Sequence, residues 1–405
     1  MDASVSRRYF VTHTTTDVDI LEVARRLNVP AESVVDAGTF RYSPGGPGRD
    51  IVLHFGRLGI TLIERTAEEA AALARQDGIR AVELDQPISI EDPPTTAAEV
   101  GREGAGKGPL WNLTMIKAAQ AHARGLTGRG VKVAILDTGM DLSHPNLPPP
   151  SGGINFTNGA APEDIQDTNG HGTHVTGIVA GKGTYGVLGV AYDCSLYVVR
   201  TMVDLSNIHS EATFQGINWC VEQGMNVANM SLSSRQPPPT YFVQAIRAAQ
   251  AAGVFCATAA GNSYQSDFPW VNSPANSSTV NDFADPARPT AVAAVDSYYQ
   301  IAPFSSRGVP PNAPPTGWNP VTISAPGVNI LSTILGGDYA LKSGTSQASP
   351  HVAGLAAMLW QWRPDSEVRW IKSRICMTAR NLGPATPYGD GLIDCDAATK
   401  LGADE

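Results

Sequence analysis

Two patterns of apolar positions divide the chain. Upstream of residue 91 short amphipathic runs follow one another. The spacing predicts a strand over 8–13 and a helix over 17–28 with Ile20, Leu21, Val23, Ala24 and Leu27 on one face. Strands follow over 51–55 and 60–63 around Gly59, then an alanine-rich helix over 67–76 closed by Gly78, then a strand over 79–84. The order β-α-β-β-α-β is that of a ferredoxin-like α+β unit. The apolar run after Arg7 and Arg8 is broken at Thr12, His13 and Thr14, too soon for a secretory signal. The protein is therefore expected in the cytoplasm, or secreted if a leader stood upstream of this sequence.

Downstream the runs become nearly continuous. Residues 131–136, 195–200, 226–232 and 254–259 suit parallel strands buried on both faces, and helical stretches over 211–223 and 241–252 lie between them. This alternation predicts a doubly wound, mostly parallel α/β sheet with its reactive groups beyond the carboxyl ends of the strands. Between the two patterns, residues 91–109 (EDPPTTAAEVGREGAGKGP) lack an apolar period and read as a linker. The expected organisation is a small domain over 1–90, the linker, and a large domain over 110–405.

Composition narrows the partners. With a net charge of -9 and charged residues at only 17%, the chain lacks the basic clusters that nucleic acid or an anionic membrane would require. Its apolar stretches, such as 352–360, fall short of the roughly 20 residues of a spanning helix. The five cysteines, Cys194, Cys220, Cys256, Cys376 and Cys395, are odd in number and form no C-x-x-C pair. Free thiols are expected, with a Cys376–Cys395 bridge as the alternative.

Three glycine-flanked segments carry candidate chemistry: Asp137-Thr-Gly139, His171-Gly-Thr-His174, and Ser343-Gly-Thr-Ser346 opening a long helix. A serine hydroxyl is a weak nucleophile until a base takes its proton. An imidazole suits that role, and a carboxylate behind it fixes the tautomer. A serine at a helix N-terminus also faces unpaired N–H groups that can hold an oxyanion, and Asn262 in Ala259-Ala-Gly-Asn262 can add a side-chain donor. A second Asp-Thr-Gly, as paired-aspartate chemistry would need, is absent.

In the chain order Asp, His, Asn, Ser these segments resemble the subtilisin-like serine proteases, the subtilases, over about 111–392. The matching stretches include Gly128-Arg-Gly-Val-Lys-Val-Ala-Ile-Leu-Asp-Thr-Gly139, His144-Pro145, His171-Gly-Thr-His-Val175, Gly186-Val-Leu-Gly-Val-Ala191, Asn229-Met-Ser-Leu232, Ala260-Gly-Asn262, Phe304-Ser-Ser306, Ala325-Pro-Gly327 and Gly344-Thr-Ser346. The resemblance implies Ser346 as nucleophile, His171 as general base and acid, Asp137 as orienting carboxylate and Asn262 as oxyanion donor. It implies a substrate cleft built from Ser231, Leu232, Ser233, Ala260, Gly261, Gly344 and Thr345, and a polypeptide substrate. It also implies that the N-terminal unit is a propeptide that inhibits its own enzyme, with residues 82–85 leading toward the cleft and processing between Gln86 and Pro109.

The chain departs from the family pattern in several places. Gln347 stands where methionine is usual, so a polar side chain must find a partner or stay near the surface. Ser233, Ser234 and the stretch 206–209 replace glycines, which should narrow the specificity pocket. The segment 272–289 has an ambiguous register and carries Asp282 and Asp285, read as solvated loop acids. The loop 180–186 lacks carboxylates, and Asn146 stands where an acidic ligand is common. No calcium is expected at that usual site, and no cofactor is expected. His144 and His174 read as structural, and Met358, Trp360 and Trp362 as helix packing. The expected activity is peptide-bond hydrolysis by a self-inhibited serine endopeptidase. A peptide ligase or macrocyclase using the same acyl-enzyme, and a catalytically quiet binding protein, are the alternatives.

Overall fold

The computed structural model describes residues 5–40, 51–86, 88–89, 98–101, 110–157, 161–205, 210–277, 288–309 and 320–400. The N-terminal unit contains strands β1 (Arg7–His13), β2 (Val34–Asp36), β3 (Val52–Phe55), β4 (Ile60–Arg65) and β5 (Ile79–Leu84) in the order β2-β3-β4-β1-β5. Without β2 this is the expected ferredoxin-like arrangement, with β1 antiparallel to both β4 and β5. Strand β2 adds a short parallel edge on β3. Helix α1 (Ile20–Leu27) starts where the Asp19 side chain accepts from Glu22 N, and stops at left-handed Asn28. Helix α2 (Ala67–Leu73) opens with a capping box between Thr66 and Glu69.

The period of two along these strands gives the sheet two buried faces. Val11, Val52, Ile63 and Ile79 pack beneath α1 with Val23, Ala24 and Leu27. Phe10, Leu53, Phe55, Ile60 and Leu62 point the other way, onto Phe214, Tyr241 and Phe242 of the large domain. The Phe10 ring lies 4.5 Å from Tyr241 and 4.8 Å from Phe214, centroid to centroid. Burying each such side chain contributes about 1.5–3 kcal/mol, so this contact is a substantial apolar interface.

The large domain is built on a seven-stranded sheet. Its strands are β7 (Lys132–Asp137), β8 (Gly152–Asn155), β9 (Ser195–Arg200), β10 (Val227–Met230), β11 (Phe255–Ala259), β12 (Thr290–Val295) and β13 (Ile323–Pro326). They lie in the order β13-β12-β11-β10-β7-β9-β8, with every pair parallel. Helices His171–Ala180 and Thr345–Trp362 pack on one face, and Ser210–Glu222 and Thr240–Ala251 on the other. A parallel sheet with helices on both faces is the doubly wound fold expected from the apolar runs.

The segment read as a linker contributes a strand. Residues Ala98–Glu99 (β6) pair antiparallel with β15 (Tyr339–Lys342), which itself pairs with β14 (Ile330–Thr333). Two residues are too few to show a period, which is why sequence reasoning missed it. All five cysteines are free, so the Cys376–Cys395 alternative is not formed. Among the described residues, no helix is long and apolar enough to cross a membrane.

Candidate active site

Strand β7 ends at Asp137, and the connection back through β8 delivers His171 as the first residue of its helix. That helix start is fixed by Asp167, whose carboxylate accepts from Asn169 N (2.9 Å), Gly170 N (3.0 Å), Thr173 N (2.9 Å) and Thr173 Oγ1 (2.6 Å). Burial disfavours the Asp167 charge, but the bonds from Gly170, Thr173 and Asn169 outweigh it and hold the carboxyl below its ordinary range. Gly172 permits close approach, because a β-carbon there would come 2.3 Å from the Gly139 carbonyl. The result is a contact of 2.8 Å between His171 Nδ1 and Asp137 Oδ1, both side chains fully buried. The same Oδ1 accepts from Thr138 N at 2.8 Å. Since an ionised Asp137 can only accept, Nδ1 of His171 is the donor in this bond. His171 Nε2 and Asp137 Oδ2 are buried with no hydrogen-bond partner among the described residues.

Ser346 is the second residue of the Thr345–Trp362 helix and is 5% exposed. Its Oγ donates to the Ser231 carbonyl at 3.2 Å, and Ser231 Oγ donates to the Ser346 carbonyl at 2.9 Å. Asn229 Nδ2 donates to Ser231 Oγ (3.0 Å) and Ser349 Oγ donates to Asn229 Oδ1 (2.8 Å), so strand β10 and the serine helix are locked together. Asn262 Oδ1 accepts from Thr345 N (2.8 Å) and Thr345 Oγ1 (2.9 Å). Its Nδ2 is thereby turned toward the helix start. A methyl group on Gly344 would lie 3.4 Å from Asn262 Nδ2, 3.6 Å from Ser346 N and 2.7 Å from Gln347 Oε1. Two nitrogen donors and the Gln347 amide oxygen therefore surround a bare glycine beside the serine. Gln347 is 1% exposed and its Nε2 has no partner, so the sequence expectation of a partnered or surface amide is not met.

The chain thus holds a carboxylate-bound buried histidine at one helix start and, at another, a serine with an amide beside it. The model of the subtilase family (Peptidase_S8) matches residues 128–391, well over half of the chain. The chain belongs to the subtilase family. It is 35% identical over 352 residues to the alkaline protease of Alkalihalobacillus alcalophilus, covering 87% of this chain and 82% of that protein. It is 39% identical over 291 residues to subtilisin BL of Lederbergia lenta, covering 72% and 98%. The thermostable alkaline protease of Halalkalibacterium halodurans is 35% identical over 352 residues, covering 87% and 86%. Alignments of that length reach into the N-terminal unit. This subtilase is a subtilisin-like serine protease.

The walls expected to hold substrate lie beside these residues. Leu232 is buried in the core, leaving its backbone and those of Ser231 and Ser233 to form an edge. Ala260 N bonds Val292 O, and Gly261 N donates to Thr345 Oγ1 at 3.1 Å. Sequence reasoning missed Asn272. Its backbone N–H donates to Ala260 O (2.9 Å), its Nδ2 donates to Ser233 Oγ (3.3 Å), and its amide packs against Gly261, so it links both walls of the subtilase cleft. The X-Pro step at Ser273-Pro274 was the available signal of a turn there. Asp282, Asp285 and residues 206–209 lie outside the described residues.

His174 Nε2 lies 3.1 Å from the carbonyls of both Ile330 and Ala340, and burial keeps the ring neutral, well below the usual histidine range. His144 Nε2 lies 3.0 Å from Asp338 O. Both connect elements, as expected of structural histidines. Asn146 spans the loop beyond the histidine helix, donating to Val187 O at 2.8 Å and accepting from Thr184 N at 2.7 Å.

Proposed function

We propose that this subtilase is a serine endopeptidase that hydrolyses peptide bonds through an acyl-enzyme on Ser346, and that its N-terminal unit holds it as a self-inhibited zymogen. The observation that carries the chemistry is the buried Asp137–His171 bond of 2.8 Å with His171 Nε2 left unpartnered. An unsatisfied buried acceptor costs stability and calls for a reason, and a proton-accepting base is one. In this reading Ser346 Oγ rotates from the Ser231 carbonyl toward His171 and attacks the scissile carbonyl carbon, and its proton passes to Nε2. Asn262 Nδ2 and Ser346 N–H hold the oxyanion. The tetrahedral intermediate collapses, the C–N bond breaks, and His171 returns the proton to the leaving amine. Water then attacks the ester, gives a proton to His171, and Ser346 recovers it as the acid leaves. Asp137 keeps the ring in the required tautomer and stabilises the imidazolium.

Occupation of the cleft by the chain itself supports self-inhibition. Ser89 and Ser233 exchange both backbone hydrogen bonds, Ser89 N to Ser233 O at 2.9 Å and Ser233 N to Ser89 O at 3.0 Å. Ser89 thus pairs antiparallel with the expected substrate edge at Ser233, the backbone pairing by which an extended peptide adds to an edge. The unit also grips the helices beside that edge. Glu83 accepts from Thr240 N at 3.1 Å at one helix start, and Asp85 accepts from the Ser210 hydroxyl at another. Arg8 joins Asp85 to the fully buried Glu211.

The test is the full chain beside its Ser346→Ala variant. The parent is expected as two fragments cut between Gln86 and Pro109, the variant as one. A variant that still appears cut would show that another protease processes it. Incubation of the processed parent with a peptide library should yield products heavier by one water in total, whereas a ligase would conserve mass or lose water.

A further inference from the structure

The N-terminal unit's own core contains a chain of polar side chains that the proposed chemistry does not use. His13 on β1, His54 on β3 and Thr61 on β4 lie on the face beneath α1 and are 0%, 2% and 0% exposed. The two rings stand edge to face, 5.8 Å apart. Their hydrogen bonds have one consistent direction. The Val18 carbonyl, 2.6 Å from His54 Nε2, can only accept, so Nε2 carries the proton. Neutral His54 Nδ1 then accepts, and Thr61 Oγ1, at 3.0 Å, donates to it. The single Thr61 proton is thereby used, so Thr61 Oγ1 accepts from His13 Nε2 at 2.8 Å. His13 Nδ1 is left as an acceptor facing Arg26 Nη1 at 3.4 Å. With both rings neutral, every ring nitrogen is used.

A proton added to either ring breaks the pattern. At His54 Nδ1 it would displace the Thr61 hydroxyl proton from that bond, and at His13 Nδ1 it would face the Arg26 guanidinium. Arg26 is pinned there by the Gly78 carbonyl (3.0 Å) and by Glu22 (2.7 Å). Burial, His54 and Arg26 lower the His13 pKa to about 3 from 6.5, with Glu22 opposing. Burial also lowers His54, against the Val18 and Ile60 carbonyls and the charges of Asp36 and Asp19.

We propose that the His13–Thr61–His54 chain is an acid sensor: neutral rings are a condition of the N-terminal unit's fold, and acidification opens the unit and frees the substrate edge at Ser233. The second half rests on the inhibitor reading above. The three residues tie together the same three strands whose opposite face, through Phe10, Leu53, Phe55, Ile60 and Leu62, holds the catalytic domain. Loss of this core therefore removes the interface. The folded pKa lies below the unfolded one, so the stabilisation is complete above about pH 6.5 and is lost progressively as pH falls toward the folded value.

The test uses the full-length Ser346→Ala chain, which cannot process itself under the proposed mechanism. Hydrogen exchange is followed by mass spectrometry at about pH 7.5 and about pH 4.5 and corrected for intrinsic rates. Opening of residues 7–13, 52–55 and 60–65 is expected to rise about 100-fold from His13 alone, while residues 132–137 and 227–230 stay protected. The double variant His13→Gln, His54→Gln in the same background supplies uncharged amides and is expected to lose most of this acid response. Should that variant not fold, imidazole NMR titration of the Ser346→Ala chain decides, with both rings expected to stay neutral until the unit opens. Unchanged protection at the lower pH, or rings that protonate near the ordinary histidine value in a closed unit, would overturn the sensor. So would equal acid opening in the double variant. Acid opening without any rise in peptide hydrolysis by the processed parent still bound to its N-terminal fragment would keep the sensor and overturn the inhibitor reading.

Discussion

Two buried histidine sites in this chain differ in how fully their hydrogen bonds are used. At the proposed catalytic centre His171 has one nitrogen bound to Asp137, while its other nitrogen and one Asp137 oxygen have no partner among the described residues. In the N-terminal unit His13 and His54 have a partner at every nitrogen. Both sites are buried, so burial alone does not separate them. An open position in a buried network is where a proton can enter. A closed network has no room for one and responds to protonation by losing its fold.

The same substitution at both sites sharpens this contrast. His171→Gln should lower kcat by about 10⁴-fold or more, because glutamine cannot take the Ser346 proton. It should leave thermal stability nearly unchanged. His54→Gln should leave kcat of the processed enzyme within two-fold, on the order of measurement error for such a remote site, and act instead on the acid opening of the uncleaved chain. Steady-state kinetics with one peptide substrate, beside thermal melts at two pH values, measures both. A large kcat loss in His54→Gln would collapse the distinction. A smaller effect is expected at Asn262, where replacement by Ala removes one of two oxyanion donors. The loss should be about 10²–10³ in kcat with little change in KM, the magnitude for one such donor in subtilisin. A change confined to KM would place Asn262 in ground-state binding.

Much of this molecule was legible in sequence because its signals are local. The four long apolar runs predicted β7, β9, β10 and β11, and their ends carry Asp137 and Asn262. The glycine-flanked segments marked Asp137, His171 and Ser346, because backbone must approach backbone there, as the 2.3 Å at Gly172 shows. What escaped depends on distant pairing. Strands β2 and β6 have three and two residues and exist only through β3 and β15. Asn272 reads as one more loop residue until the fold sets it between Ala260 and Ser233. Thr12 and His13 seemed to interrupt an apolar run, yet both are fully buried. His13 is stabilised there by Thr61 and by Arg26, on other elements, and no local pattern announces such partners.

Whether Ser346 is a nucleophile activated by His171 is decided by a fluorophosphonate probe. The processed enzyme is treated with the probe and peptide-mapped, beside the His171→Gln and Ser346→Ala chains. A single adduct on Ser346 in the parent, strongly slowed in His171→Gln and absent in Ser346→Ala, is the predicted result. An unlabelled Ser346 in processed enzyme, or labelling at the same rate without His171, would contradict it.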